Sequence, residues 1–276
     1  MQTVSYHGHK VFFYTTGSGE PLVFLHGWPT NSNLWKAQIE ALKTHYRVIT
    51  LDWLGFGNSD KPKNFHYTFT KQKEVLDLVL AQELEAGEEV TLVAHDIGGP
   101  PTLLWASENE DRVKRLILLN TVVYPFKTQM DALSEFLMGI PVIKNVLVSD
   151  FGLQSILKSY TKSGDPELPA KIEALVAAYY GVEKAVRLKT ILEPMEGGRK
   201  NELLTLAQKY QTLAADKFLI IAKDDPLCYK HIEQLHQDNP EVPVFYLDKC
   251  GHFIPIDQPR ALNEILFQIL KAETGS

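Results

Sequence analysis

The stretch VAHDIGGPP, residues 93–101, joins an apolar run to a helix-like segment through a turn of small residues. Residues 90–94 lead into this turn and are typical of a buried strand, whereas residues 102–106 have helical character. Pro100 and Pro101 suit the first turn of a helix, because N–H groups there have no intrahelical partner. The sequence therefore predicts a strand, a sharp turn and a helix, with Asp96 at the tip of the turn.

A turn of this kind can present one nucleophilic side chain above a sheet. Ala94 and Gly98 lie two residues on either side of Asp96, where a larger side chain would collide with neighbouring backbone. Asp96 could instead act only as a cap for the helix that follows. Motifs elsewhere in the chain decide between these two interpretations.

The segments on both sides of the turn alternate between strand-like and helix-like runs. Residues 22–25, 48–51 and 116–119 are short and continuously apolar, which is typical of parallel strands covered on both faces. Residues 71–85 have helical spacing, and strand-like runs return at 218–221. This alternation predicts a parallel sheet with crossover helices.

The segment 123–212 contains no clear buried strand and is predicted to be mostly helical. Breaks rich in Gly and Pro fall at 139–141, 164–166 and 197–198. Because open α/β sheets bind ligands beyond the carboxyl ends of their strands, we interpret this segment as a cap over those ends. The predicted division is an α/β core of residues 1–122 and 213–276 and a helical cap of residues 123–212.

The motif HGWP, residues 26–29, directly follows a predicted strand. The backbone N–H groups of Trp28 and Ile97 would together form an oxyanion hole, which stabilises negative charge developing on oxygen. A plain turn is the alternative, because Gly and Pro occur in turns of every kind. His26 is predicted to be a structural hydrogen-bonding residue.

Two motifs in the last third of the chain supply a base and an acid. CGHF, residues 250–253, follows the last strand and offers His252 as a general base. AKDDP, residues 222–226, follows another strand, and we choose Asp225 as the acid that orients His252, with Asp224 as the alternative. Either aspartate could merely cap the next turn.

These motifs, with DWLGFGNSD at residues 52–60, resemble the α/β-hydrolase superfamily. The aspartate in the turn is similar to its epoxide hydrolase and haloalkane dehalogenase branch. The resemblance implies an α/β-hydrolase fold: a mostly parallel sheet flanked by helices, with a helical cap inserted after the sixth core strand. It also implies Asp96 as nucleophile, His252 as base and Asp225 as its charge partner, with no cofactor and no metal.

An ionised carboxylate can attack an sp³ carbon directly and form an enzyme ester, which water activated by His252 then hydrolyses. We expect an epoxide hydrolase acting on apolar epoxides. The alternatives are a haloalkane or haloacid dehalogenase, a lactone or ester hydrolase, and a non-catalytic binding protein. Dehalogenases of the family commonly have tryptophan and asparagine where this chain has Ile97 and Trp28.

The related epoxide hydrolases use tyrosines of the cap to protonate the opening ring. Tyr160 and Tyr180 are the candidates in this chain, although either could serve only in packing. No basic start followed by an apolar run opens the chain, so no signal peptide is expected. The two cysteines, Cys228 and Cys250, do not suggest a disulfide framework, and a cytoplasmic location is expected.

The composition is that of a globular protein: of 276 residues, 45% are hydrophobic and 22% charged. The net charge of −6 argues against nucleic acid or an anionic membrane as a partner, since both would favour a basic surface. The expected partner is a small apolar substrate, and the chain is expected to be a monomer or a homodimer.

Overall fold

An eight-stranded sheet forms the centre of the computed structural model, which describes residues 2–125, 143, 145–146, 148–160, 165–199 and 202–271. The strands are β1 Gln2–Tyr6, β2 His9–Thr16, β3 Pro21–Leu25, β4 Arg47–Leu51, β5 Val90–Asp96, β6 Val113–Thr121, β7 Asp216–Ala222 and β8 Val244–Leu247. The strand order is β1-β2-β4-β3-β5-β6-β7-β8. Strand β2 is antiparallel to both of its neighbours, β1 and β4, and all other neighbouring strands are parallel.

The apolar runs form strands because both faces of the sheet are covered. In β3, Val23 and Leu25 face one apolar cluster, whereas Leu22 and Phe24 face a second cluster on the other side. All four side chains are fully buried. Successive side chains of a strand point to opposite faces, so a central strand between two helix layers must be apolar at every position.

Helices lie on both faces of the sheet. On one face α2 packs against α3, and on the other α1 packs against α10. The helices of the described residues are α1 Lys36–Leu42, α2 Phe69–Glu83, α3 Gly99–Glu108, α4 Asp150–Ser159, α5 Leu168–Tyr180, α6 Lys184–Arg199, α7 Glu202–Thr212, α8 Tyr229–Asp238, α9 Ile254–Asp257 and α10 Pro259–Lys271.

Helices α4 to α7 all lie in the chain between β6 and β7. Helix α6 continues through Gly197 and Gly198, where the sequence predicted a break, and it also contains Pro194. That prediction was wrong, because two glycines lower helix stability without preventing the helical conformation. The predicted break at 139–141 lies outside the described residues.

The carboxyl ends of β5, β6 and β7 lie side by side in the sheet. The loops that follow these strands therefore meet at one edge, which is where open parallel sheets place their ligands. The turn at Asp96 and the loop at Asp225 both belong to this edge.

Candidate active site

Asp96 lies at the tip of a sharp turn between β5 and α3. Its backbone has a φ of 52°, which is uncommon for a residue with a Cβ, and its side chain is buried. A Cβ added to Gly98 would lie 2.4 Å from the carbonyl oxygen of His26. The turn therefore needs glycine at position 98, and it holds Asp96 in a conformation that few residues adopt without support from their surroundings.

Two backbone N–H groups donate to the carboxylate of Asp96. The N–H of Trp28 donates to Oδ2 at 2.8 Å, and the N–H of Ile97 also bonds the carboxylate. A Cβ added to Gly27 would lie 2.5 Å from the same Oδ2, so only glycine allows this close approach. The two residues predicted to form an oxyanion hole thus both reach Asp96.

Asp225 and His252 form a buried hydrogen-bonded pair. Oδ2 of Asp225 lies 2.9 Å from Nδ1 of His252, and the other oxygen of Asp225 accepts from the N–H groups of Leu227 and Cys228. The neighbouring Asp224 is exposed, so its side chain lies away from this pair. The structure therefore brings Asp225 to His252, as chosen from the sequence over Asp224.

The imidazole of His252 also faces the nucleophile candidate. Its Nε2 lies 3.9 Å from Oδ1 of Asp96, and no group among the described residues hydrogen-bonds to this nitrogen. Because Oδ2 of Asp96 is held by Trp28, Oδ1 is the oxygen directed toward His252. The three residues thus lie in one line of contacts, from Asp96 through His252 to Asp225.

Burial and charge act in opposite directions on these three groups. Burial lowers the pKa of His252, but the charge and hydrogen bond of Asp225 and the charge of Asp96 outweigh it, and this pKa lies above its ordinary value. Burial would raise the pKa of Asp225, yet His252 and the N–H donors hold it at about 2. Burial raises the pKa of Asp96 despite the opposing charge of His252 and the two N–H bonds.

Two supporting residues escaped the sequence analysis. Asn120, at the end of β6, donates from Nδ2 to Oδ2 of Asp225 at 2.6 Å. His95 hydrogen-bonds through Nε2 to the backbone oxygen of His252 at 2.8 Å, and burial lowers its pKa to about 3, so it is neutral. Each is the second-last residue of a strand, Asn120 of β6 and His95 of β5, and this position at a strand end is the signal that could have indicated them.

The two candidate tyrosines occupy different places. The ring of Tyr160 lies 5.3 Å from that of His252, and the backbone oxygen of Tyr160 accepts from the N–H of His252 at 3.1 Å. Burial, then the charge of Asp96, raises the pKa of Tyr160, so its phenol keeps its proton at neutral pH. Tyr180, the last residue of α5, makes no contact with Asp96, Asp225 or His252 among the interactions of the described residues, and it lines a cavity between α4 and α5.

A third tyrosine, Tyr179, binds the indole of Trp28. The indole N–H of Trp28 donates to the Tyr179 hydroxyl at 2.9 Å, and the same hydroxyl lies 2.7 Å from Oγ1 of Thr190. The ring of Tyr179 also stacks on Phe56. Tyr179 therefore fixes the Trp28 side chain from the helical segment, a role that nothing in its sequence context indicated.

A small cavity of about 10 Å³, with room for about one water molecule, borders Ile97. Aromatic and aliphatic side chains supply most of its wall, among them Trp53, Phe56, Phe69 and Pro101. Such a lining suits an apolar group. A substrate chain beside Ile97 would require these side chains to move apart.

Comparison with known proteins is consistent with this architecture. A family model described as the alpha/beta hydrolase fold matches residues 20–259. The chain belongs to this family. The haloalkane dehalogenase DatA of Agrobacterium tumefaciens C58, an α/β-hydrolase of known structure, has a TM-score of 0.81 at 24% identity, covering 98% of this chain and 96% of that one. Both findings confirm the predicted fold, and the eight-stranded sheet is its core.

Curated relatives of this α/β-hydrolase have several activities. A cis-3-alkyl-4-alkyloxetan-2-one decarboxylase of Shewanella oneidensis is 29% identical over 96% of this chain and 86% of the relative. Haloalkane dehalogenase 2 of Mycobacterium tuberculosis is 31% identical over 91% of this chain and 87% of the relative. A soluble epoxide hydrolase of a Corynebacterium species is 36% identical over 42% and 39%. These matches confirm the predicted branch of the superfamily and the hydrolase class.

No helix in the described part of the chain is both long enough and apolar enough to span a bilayer.

Proposed function

We propose that this α/β-hydrolase opens strained oxygen rings through an ester on Asp96, and that apolar epoxides are its main substrate class. One observation carries the proposal. Oδ2 of Asp96 is held by a backbone N–H at 2.8 Å, while Oδ1 faces Nε2 of His252 at 3.9 Å. One oxygen is thus fixed and the other is directed to the place where a base would activate water.

In the first step Oδ1 of Asp96 attacks an sp³ ring carbon. The new C–O bond to the carboxylate forms as the ring C–O bond breaks, and the ring oxygen leaves as an alkoxide. The phenol of Tyr160, which keeps its proton at neutral pH, donates that proton. The products are a hydroxyalkyl ester of Asp96 and a tyrosinate that recovers a proton from solvent.

In the second step water hydrolyses this ester. Nε2 of His252 accepts a proton from water, and the resulting hydroxide attacks the carboxyl carbon of Asp96. Negative charge develops on Oδ2, where the N–H of Trp28 already donates, and the N–H of Ile97 also bonds this carboxyl group. Asp225 stabilises the imidazolium that forms, and collapse of the intermediate releases the diol with the proton from His252.

The surroundings of Asp96 favour an oxygen leaving group over a halide. A halide leaves as an anion and needs N–H donors, but the indole N–H of Trp28 is bonded to Tyr179. Ile97 has no side-chain donor in the place where dehalogenases of the family commonly have tryptophan. A phenol near His252 instead suits an alkoxide, so dehalogenation ranks below epoxide opening.

A four-membered lactone is the second candidate substrate. The Shewanella relative matches almost the whole chain, and its name gives an oxetan-2-one as its substrate. Such a ring is strained like an epoxide and also has an sp³ carbon bonded to oxygen. Attack by Asp96 at that carbon would release a carboxylate, which needs no proton donor.

The residues around Ile97 support an apolar substrate. They offer no charged group for an ionic substrate, and the proposed chemistry uses only side chains and water. We therefore propose that the hydrolase works without cofactor, on substrates with an alkyl or aryl arm that packs against these residues once they move apart.

The test uses His252→Gln, which removes the base and leaves Asp96 in place. The variant is incubated separately with an apolar epoxide, a haloalkane and a 3,4-dialkyl oxetan-2-one, and its intact mass is measured. A mass increase equal to the whole epoxide, mapped to the peptide of Asp96, is the expected result, because the ester can form but water is not activated.

The wild-type products identify the substrate class in the same experiment. Diol formation supports epoxide opening and halide release supports dehalogenation. Action on the lactone is supported by carbon dioxide and an alkene, which form together when the carboxylate of the adduct is lost and Asp96 departs as its carboxylate. Asp96→Ala is the matched control and should show neither adduct nor product. Full activity in Asp96→Ala, or no adduct from any of the three compounds, would overturn the ester mechanism.

A further inference from the structure

Cys228 is a buried thiol beside the reacting groups that the proposed mechanism leaves unused. Its Sγ lies 3.6 Å from Oδ1 of Asp96, and its side chain is fully buried. The other cysteine, Cys250, is also buried, but its Sγ is directed to the backbone oxygen of Gly251 at 3.7 Å. Of the two cysteines, Cys228 is therefore the one whose thiol faces Asp96.

Two different ligand atoms lie near Oδ1 of Asp96. They are Sγ of Cys228 and Nε2 of His252, and this nitrogen has no hydrogen-bond partner among the described groups. Oδ1 is 3.6 Å from the sulfur and 3.9 Å from the nitrogen. Cys228, His252 and Asp225 also offer ligand atoms within 4.8 Å of one another.

These separations approach those between ligands of a tetrahedral zinc ion. Zinc bonds of about 2.0 Å to oxygen and nitrogen and about 2.3 Å to sulfur place neighbouring ligand atoms about 3.3 to 3.6 Å apart. Shifts of a few tenths of an ångström in the Cys228 and His252 side chains would close the difference. A thiolate, an imidazole and a carboxylate are also the donor types that zinc selects over magnesium or calcium.

His252 and Asp225 are arranged like a metal-binding histidine and the carboxylate that orients it. Asp225 accepts from Nδ1 at 2.9 Å, which leaves Nε2 with its lone pair directed toward Asp96 and Cys228. Metal-binding histidines usually donate their second nitrogen to a carboxylate in this way, and that bond strengthens the ligand. Asn120 in turn fixes Asp225 at 2.6 Å.

We propose that Zn²⁺, or another thiophilic divalent ion such as Co²⁺, binds to Cys228, His252 and Asp96 at this site. The thiol loses its proton to solvent when the metal–sulfur bond forms, so binding releases one proton for each ion. The thiolate and the Asp96 carboxylate balance the two positive charges. A water molecule completes the tetrahedron at the fourth position.

The ion would inhibit the hydrolase. It occupies both the oxygen that attacks the substrate and the nitrogen that activates water, so substrate and metal exclude each other. This inhibition rests on the proposed function, whereas the binding itself does not. The two parts can therefore fail separately.

Cobalt is the probe for binding, because a cobalt–thiolate bond produces a charge-transfer band in the near ultraviolet. Chelator-treated full-length protein is titrated with Co²⁺, and the expected result is a band that saturates at one equivalent. Zn²⁺ should remove the band by replacing cobalt, and Mg²⁺ should leave it unchanged. No band, or a band that Mg²⁺ removes, would overturn the site.

Cys228→Ser and Cys250→Ser form a matched pair, since each replaces one buried thiol by a hydroxyl. The band should disappear in Cys228→Ser and persist in Cys250→Ser, with cobalt affinity at least about tenfold weaker in the first variant. A band that survives in Cys228→Ser, or is lost only in Cys250→Ser, contradicts the assignment.

Asp96→Asn provides a second variant if Cys228→Ser does not fold. It keeps the thiol and the imidazole but removes the carboxylate ligand, so the band should remain at an affinity at least about tenfold weaker. Unchanged affinity would exclude Asp96 as a ligand.

Inhibition is tested by epoxide turnover in the presence of Zn²⁺. The Zn²⁺ concentration that halves turnover should match the zinc affinity measured by cobalt displacement. Turnover that saturating Zn²⁺ does not affect would contradict occupation of the site.

Discussion

The two sides of the candidate site are built differently. On the side of the strand ends, Asp96, Asp225 and His252 are all buried and joined by hydrogen bonds to one another or to backbone N–H groups. On the side of helices α4 to α6, Tyr160 contributes a partly exposed ring and Tyr179 holds Trp28 through one bond. Among the described residues, charge is concentrated on the first side, and the two tyrosines that the second side contributes are neutral.

The two sides therefore serve different parts of the proposed reaction: the strand ends form and hydrolyse the ester, and the helical side assists the leaving group. The strand ends supply the nucleophile, the base and the N–H donors, which every substrate of the proposed mechanism requires. The helical side supplies at most one proton and part of the wall around the substrate. We therefore expect changes at the strand ends to cost more activity than changes in the helices, whatever the substrate.

The largest effect among our comparisons is expected for Asp225→Asn. The substitution removes the charge that stabilises protonated His252 and disturbs its orientation, so kcat should fall about 10³- to 10⁴-fold. Asp224→Asn is the matched control, and its rate should stay within about twofold because that side chain is exposed. Steady-state kinetics on the epoxide measures both, and a larger loss in Asp224→Asn would reverse the assignment.

Tyr160→Phe should give an intermediate effect. Loss of the phenol proton should lower kcat on an epoxide about 10- to 100-fold while KM changes little, because the ring still packs beside His252. The oxetan-2-one should be converted at nearly the wild-type rate, since its leaving carboxylate needs no proton.

Tyr180→Phe is the control for the helical side. Tyr180 lines a cavity between α4 and α5, away from the triad candidates, so activity should stay within about twofold. A larger loss of activity in Tyr180→Phe than in Tyr160→Phe would contradict the choice of Tyr160 as the proton donor.

The pH dependence of ester hydrolysis should show the raised pKa of His252. The base must be neutral, so the rate should rise about tenfold for each pH unit below that pKa and level off above it. Asp96 has no charge in the ester, so the charge and hydrogen bond of Asp225 alone oppose burial there, and we expect them to keep the midpoint above 6.5. Single-turnover hydrolysis of the ester measures it, and a midpoint below 6.5 would show that burial dominates once Asp96 is esterified.

Apart from the two control variants, the smallest loss of activity is expected at Asn120, a residue of the strand-end side that touches no reacting atom. Asn120→Ala removes a 2.6 Å bond to Asp225 and the bonds that join it to Ala222 of β7. We expect kcat to fall severalfold and the free energy of unfolding to fall by about 1–3 kcal/mol. Urea denaturation and kinetics check both values; no change in either would show that Asp225 needs no support from β6.

The strand-end side was also the more predictable one. The motifs at 26–29, 93–101, 222–226 and 250–253 each follow a strand, and parallel strands bring their carboxyl ends to one edge. The apolar runs of β3 to β7 were recognisable because burial on both faces leaves no room for polar residues. The edge strand β1 was not predicted, because its residues are mostly exposed and do not form an apolar run.

The helical side could not be predicted in the same way. Tyr160, Tyr179 and Tyr180 belong to similar helical contexts in the sequence, yet only one adjoins His252, one binds Trp28 and one lies outside the site. Helical periodicity defines which face of a helix is buried, but the packing of several helices decides what that face meets. The division of the chain at residues 123 and 212 also stays a prediction.

The sequence by itself determined the fold family, the turn at Asp96 and the order of the candidate triad, because short local patterns specify strands and the turns after them. Only the tertiary structure decided that Asp225 rather than Asp224 meets His252, that Asn120 and His95 support that pair, and that Cys228 lies against Asp96. These contacts join residues 27 to 157 positions apart in the sequence, and whether such residues meet depends on how the whole sheet and its helices pack.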